Sequence, residues 1–237
     1  MKSHNALISI HTTLRALLAA ALWLTATLPL RAATFVPSGD TDITQHSGLG
    51  GADSNHSGDA KLWAVGTSTF LSFPLYQFDL SSLAGATVAG NATLSLYVDA
   101  GGFGLDAPRA VSVYEVLIGW NAATVTYNSF GATAGVQFGT DTGASSLDSQ
   151  TIGFTGMTPQ YVSWSIPAAT VQNWIDNPSQ NHGLLIRNAA GANRDLRFES
   201  VEGTNQPQLS VTAPEPGALS LLLIAAAGFS IRRRRSQ

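Results

Sequence analysis

The stretch Thr93-Leu94-Ser95-Leu96-Tyr97-Val98-Asp99 decides the fold class, because Leu94, Leu96 and Val98 fall on one side and the polar residues on the other. Side chains of a strand alternate with period two, so this pattern is a half-buried strand with one wet face. Tyr161-Val162-Ser163-Trp164-Ser165-Ile166 repeats it with Val162, Trp164 and Ile166 inward, and Gln208-Leu209-Ser210-Val211-Thr212 does so again. Further strands are expected over 61–67, 73–80, 109–117, 124–130, 183–189 and 196–200, divided by turn-forming stretches such as Ala100-Gly101-Gly102. About nine short strands in about 180 residues predict an all-β fold, an antiparallel two-sheet β-sandwich of the jelly-roll kind. One segment departs: Val171, Trp174 and Ile175 at i, i+3 and i+4 predict a short amphipathic helix, which Asn177-Pro178 ends. Two long polar loops, 38–59 and 131–150, are the expected seats of function on this rigid frame.

The two ends of the chain read differently. Lys2 and Arg15 precede an apolar run over 16–28, then Pro29 and the small pair Ala32-Ala33. A basic start, an apolar core and small residues at the close predict a signal peptide over 1–33, an N-terminal signal helix cut after Ala32 or Ala33. The alternative is an uncleaved anchor, yet the run makes only about 20 Å of helix against a hydrocarbon core of roughly 30 Å. At the other end Pro214-Glu215-Pro216 is followed by an apolar stretch over 217–231 and then Arg232, Arg233, Arg234 and Arg235. That stretch predicts a C-terminal hydrophobic helix of about 22 Å, short enough that the arginines must snorkel. Arginines after an apolar run stay on the cytoplasmic side, so the domain lies outside the inner membrane, transiently held at its C-terminus. The prolines prevent the helix from extending backwards.

Charge is segregated along the chain. The formal charge of −3 conceals that seven of the twelve basic residues lie in the two ends. The part between, 34–213, keeps Lys61, Arg109, Arg187, Arg194 and Arg197 against fourteen carboxylates, a formal charge of −9. A domain so acidic has no general field for nucleic acid or polyanions; an acidic ligand would need a local basic pocket. Cysteine is absent, which excludes disulfides, thiol catalysis and zinc–thiolate sites.

Candidate site residues are few. Apolar sugar faces stack on aromatic rings, which makes Trp63, Trp120, Tyr127 and Tyr161 the candidate glycan contacts. Trp164 and Trp174 fall on the inward phase of their elements and are expected in the core. Asp40, Asp42, Asp53, Asn55 and Asp59 put hard oxygen ligands on one Gly-rich loop, a candidate structural calcium site. Their spacing is not that of an EF-hand, and a solvated acidic loop is the alternative reading. No other cofactor is indicated. His46, His56 and His182 occur in no His-Glu-x-x-His arrangement, and no Gly-x-Ser-x-Gly elbow exists, so no catalytic residues are assigned and the protein is read as a non-enzyme. A glycosidase-type carboxylate pair remains the less favoured alternative, since acids distant in sequence can meet in space.

The C-terminal arrangement resembles the PEP-CTERM sorting signal of Gram-negative bacteria, with all three parts in order over 214–235. The resemblance implies that Pro214, Glu215 and Pro216 form the motif read by an exosortase, a membrane transpeptidase. It also implies that the segment 214–237 is removed during sorting and that the protein works in exopolysaccharide or biofilm. A plain C-terminal anchor is the alternative. Within the domain, Lys61-Leu62-Trp63-Ala64-Val65-Gly66, Phe78-Asp79-Leu80, Val113-Tyr114-Glu115-Val116, Gly183-Leu184-Leu185-Ile186-Arg187 and Phe198-Glu199-Ser200 look, in that order, like the DNRLRE domain. That domain is a secreted β-sandwich similar to a carbohydrate-binding module family for which alginate binding has been reported. Two positions depart: Phe73-Pro74-Leu75-Tyr76-Gln77 stands where members often carry an arginine, and Thr126-Tyr127-Asn128 replaces Thr-Trp-Asn. The resemblance implies a surface protein that binds polysaccharide without catalysis, and the charge of −9 favours a neutral glycan over alginate. A purely structural or adhesive surface protein is the alternative.

Overall fold

The computed structural model describes residues 30–67, 70–99, 108–153, 156–189 and 192–214. The predicted signal helix and the hydrophobic tail from Glu215 onward lie outside them. Among the described residues no helix is long and apolar enough to cross a membrane.

The described residues form eleven strands: β1 (Leu30–Phe35), β2 (Gly39–Thr44), β3 (Lys61–Gly66), β4 (Leu71–Gln77), β5 (Ala92–Val98), β6 (Arg109–Glu115), β7 (Asp148–Ile152), β8 (Gln160–Ile166), β9 (Leu184–Asn188), β10 (Ala192–Glu199) and β11 (Gln208–Pro214). The helix α1 covers Ala168–Asp176 and buries Val171, Trp174 and Ile175, the three residues its spacing selects. Hydrogen bonding runs in the order β1-β11-β5-β10-β3-β4-β9-β6-β7, with β2 added on β4 and β8 on β5. These strands pair antiparallel, and β4 is where the sheet divides. Its Leu71 and Ser72 pair with β3, whereas Leu75 and Tyr76 pair with β9. Pro74, which has no N–H to give, falls between the two pairings.

The curled sheet closes on itself as a sandwich does. Trp164 of β8 donates its indole Nε1 to the Val111 carbonyl of β6 at 2.9 Å, across the interior. Around it pack Leu62, Leu94, Leu96, Val98, Val113, Ile152, Ile166, Leu184, Ile186 and Phe198, all buried. Residues 32–213 form one compact unit. A second apolar cluster lies on the opposite face of β4, β9 and β6: Ile43, Phe73, Leu75, Tyr114, Val116 and Leu185, roofed by Val125 and Phe130 from the long segment after β6.

Three sequence expectations are corrected. The loop 38–59 contains β2, hidden because its Asp40 and Asp42 are poor strand formers that nevertheless point into the protein. The loop 131–150 ends in β7, whose Asp148-Ser149-Gln150-Thr151 has too little apolar alternation to read as a strand. Residues 124–130 are not a strand. Thr124 and Val125 both donate to the Asn121 carbonyl, and Ser129 and Phe130 to that of Thr126, so the segment is a chain of turns whose apolar side chains face the second cluster.

Candidate functional site

The segment from Leu117 to Leu147 is laid over the second apolar cluster by a buried carboxylate. Asp141 is 3% exposed, its Oδ2 accepts the Gln137 N–H at 2.8 Å, and its backbone carbonyl accepts the Leu117 N–H at 2.8 Å. Gly131 has φ of 78°, and a Cβ there would lie 2.7 Å from Asp141 Oδ1, so only glycine lets the chain wrap this closely. The wrapping delivers Phe138 edge-on to Tyr114 (4.8 Å, 62°) and to Phe73 (6.2 Å, 70°).

On β9, Leu185 and Arg187 share the outward face, so Arg187 emerges beside that ring cluster. Its guanidinium carbon lies 4.4 Å from the Phe138 ring centroid, and Nη1 reaches the Tyr114 hydroxyl at 3.5 Å. A cavity of about 140 Å³ opens here, with Tyr127, Val136, Phe138, Arg187 and Asn188 among its walls. Gly135 holds φ of 80°, and a Cβ there would come within 2.5 Å of the Tyr127 hydroxyl oxygen, so the glycine lets the phenol lie flat along the loop. Partial burial raises the Tyr127 hydroxyl above its ordinary pKa, so it stays protonated and can donate.

Two other cations are committed elsewhere. Lys61 and Arg197 both pair with Asp99, at 2.9 and 2.8 Å. Arg187 makes no ion pair among the described residues. Arg187 is thus a cation over a ring at an open cavity, with donor groups available to a ligand. Sequence reading missed it because its signals were separate: Arg187 was one of five bases, and Phe138 lay in a loop marked only by Gly, Ser and Thr.

The four aromatic candidates are not brought together. Trp63 lies on the outer face of β3 with the Arg197 guanidinium 5.1 Å from its ring. Tyr161, 41% exposed, stands edge-on to Tyr97 at 5.3 Å and donates its hydroxyl to the Gln206 carbonyl at 3.3 Å. Trp120 packs on the second cluster and gives its Nε1 hydrogen to the His182 carbonyl at 2.7 Å. Only Tyr127 joins Arg187. Trp164 and Trp174 are core, as their phase predicts, each 1% exposed.

The five candidate calcium ligands do not gather as one set, although Asp42 Oδ1 (3.8 Å) and Asp59 Oδ2 (2.9 Å) both face His56 Nδ1. Asp53 accepts from Asn128 Nδ2 at 2.8 Å, Asn55 donates to the Ala122 and Val125 carbonyls at 2.7 Å each, and Asp59 pairs with His56 Nδ1 at 2.9 Å. Asp40 and Asp42 are buried on β2, where Asp40 Oδ2 accepts from Val201 N (2.8 Å) and Asp42 Oδ2 from Trp63 N (2.6 Å) and Ser72 Oγ (3.2 Å). Among the described residues no three His, Cys, Asp or Glu side chains gather closely enough to hold a metal ion. What the two aspartates do is tie β2 to β3 and to the turn after β10. Burial pushes Asp40 up to about 7 and Asp42 up to about 6, the backbone donors opposing that rise.

No curated protein matches the chain. Residues 31–213, the span from β1 into β11, match carbohydrate-binding module family 96. The match covers the whole sandwich and supports carbohydrate binding by a non-catalytic β domain. With most of its length accounted for in this way, the chain belongs to carbohydrate-binding module family 96.

Proposed function

We propose that the protein is a non-catalytic glycan-binding protein of the cell surface or extracellular matrix. In this reading a signal peptide over 1–33 exports it, and the segment 214–237 is a sorting tail cut by an exosortase after brief anchorage in the inner membrane. The observation that carries the glycan reading is the family match over 31–213, because it spans every strand of the sandwich. The cavity of Tyr127, Phe138 and Arg187 is the place that best suits a sugar. Ring faces there receive the apolar side of a pyranose, and the guanidinium offers several N–H donors to hydroxyls. A domain charge of −9 favours a neutral glycan, with Arg187 able to receive a single acidic group.

The test is a glycan array probed with the exported, tail-free protein, with and without Ca²⁺. Binding to neutral glycans that weakens on Arg187→Ala is expected. Absence of binding to every glycan, with the fold intact, leaves the purely structural or adhesive role. Release of new reducing ends from a bound polysaccharide would make the protein an enzyme.

A further inference from the structure

A second cavity on the sandwich lies in a different place from the one above. It has a volume of about 470 Å³ and opens between the end of β4 and the helix α1. Its polar walls are Ser38, Gln77, Asp79, Ser81 and Asn181, over an apolar floor that includes Leu80, Ile175 and Pro178. None of the residues lining it is basic.

Three of the donors in these walls are already engaged. Asn181 gives its Nδ2 hydrogen to the Phe78 carbonyl at 2.8 Å, and Ser38 gives its hydroxyl hydrogen to the Gln77 carbonyl at 3.2 Å. The Ser81 N–H is taken by Asp79 Oδ1 at 2.9 Å. What the rim presents to solvent is the exposed Asp79 carboxylate. The Ser81 N–H holds the Asp79 carboxyl below its usual range, so it is an anion at neutral pH. An exposed carboxylate at the rim of an apolar floor, with no basic residue in the lining, calls for a ligand that is apolar on one face and carries a cationic donor at its edge.

We infer that this cavity is a second saccharide site, selective for an amino sugar whose free ammonium group pairs with Asp79. The inference rests on the reading of the domain as glycan-binding, but uses none of the residues of the first site. Leu71, at the start of β4, lines the small cavity beside Arg187, and Gln77, at its end, lines this one. At about 3.3 Å per residue the two sites lie roughly 20 Å apart along one strand. A domain with two such sites holds two stretches of polymer at once, and simultaneous engagement raises the overall affinity above that of either site.

The test compares glucosamine tetramer with its fully N-acetylated form and with glucose tetramer, by calorimetry and by amide shifts on the exported, tail-free protein. The glucosamine tetramer is expected to bind and to shift the amides of Asp79, Leu80, Ser81 and Asn181. N-acetylation or Asp79→Asn should weaken that binding about tenfold, the scale of losing one charged hydrogen bond. Asp79 is exposed and pairs only locally, so the variant keeps its fold, which a thermal melt verifies. Equal affinity for the amine and N-acetyl forms overturns the inference, as does indifference to Asp79→Asn. A protein that binds neutral glycans but no amine oligomer loses this site and keeps the proposed function; one that binds neither loses both.

Discussion

The guanidinium carbon of Arg187 lies 4.4 Å from the centre of the Phe138 ring, although the two residues are 49 positions apart and one sits in a loop with no strand character. The contact with the ring leaves the guanidinium its hydrogen-bond donors, of which Nη1 reaches the Tyr114 hydroxyl. This differs from Arg197, whose charge Asp99 neutralises at 2.8 Å.

Arg187→Ala is expected to lower glycan affinity by about tenfold or more while shifting the melting temperature little, because the side chain is partly exposed and makes no ion pair among the described residues. Arg187→Lys should not restore binding, since an ammonium neither stacks as a plane nor presents a fork of donors. Calorimetry with a binding glycan decides the point; full activity in the lysine variant would argue against stacking.

Gly135→Ala tests the loop that seats Tyr127. The new methyl meets the phenol oxygen and forces a left-handed backbone on a residue with a side chain, at a cost of about 1–2 kcal/mol. Glycan affinity should fall together with stability, and Tyr127→Phe should lower affinity alone. If Gly135→Ala binds as well as wild type, Tyr127 is not a contact.

Trp164→Ala should destabilise the domain by about 3–5 kcal/mol, because it removes a buried indole and leaves its surroundings a void. Trp164→Phe should cost less, chiefly the bond to the Val111 carbonyl. Denaturant melts of both variants measure the difference; similar losses would show that the hydrogen bond, not packing, dominates.

Asp40 and Asp42 make stability depend on pH. Their folded-state pKa values are raised by burial from 3.8 to about 7 and about 6, so the folded protein holds protons that the unfolded chain releases. The stability they contribute is fully present below about pH 4 and is lost as pH rises through 6 to 7. The melting temperature should accordingly fall between pH 5 and pH 8. Asp40→Asn removes the buried charge yet keeps an acceptor for Val201, and should raise the pH 8 melting temperature by roughly 3–6 °C while flattening the slope. A slope unchanged in Asp40→Asn would assign the pH dependence to other groups.

The sequence by itself determined the class of the fold, because period-two alternation in 93–99, 161–166 and 208–212 leaves a strand only one way to bury its apolar side. It also determined the place of α1 and the core roles of Trp164 and Trp174, whose phase settles them. It did not reveal β2, where two acids occupy inward positions, since a buried carboxylate is tolerable only beside donors such as the Val201 and Trp63 amides that other elements supply. It misread 124–130, where backbone turns override strand-like residues. Which aromatics would share a site was not legible either: Trp63, Trp120, Tyr127 and Tyr161 look equivalent in one dimension. The tertiary structure alone chose Tyr127 and set Arg187 beside it, because a loop wound around Asp141 carries Phe138 onto β9. Alternation along a strand is local and written in neighbouring residues, whereas a binding cavity is made of contacts between segments that only the closed fold brings within reach.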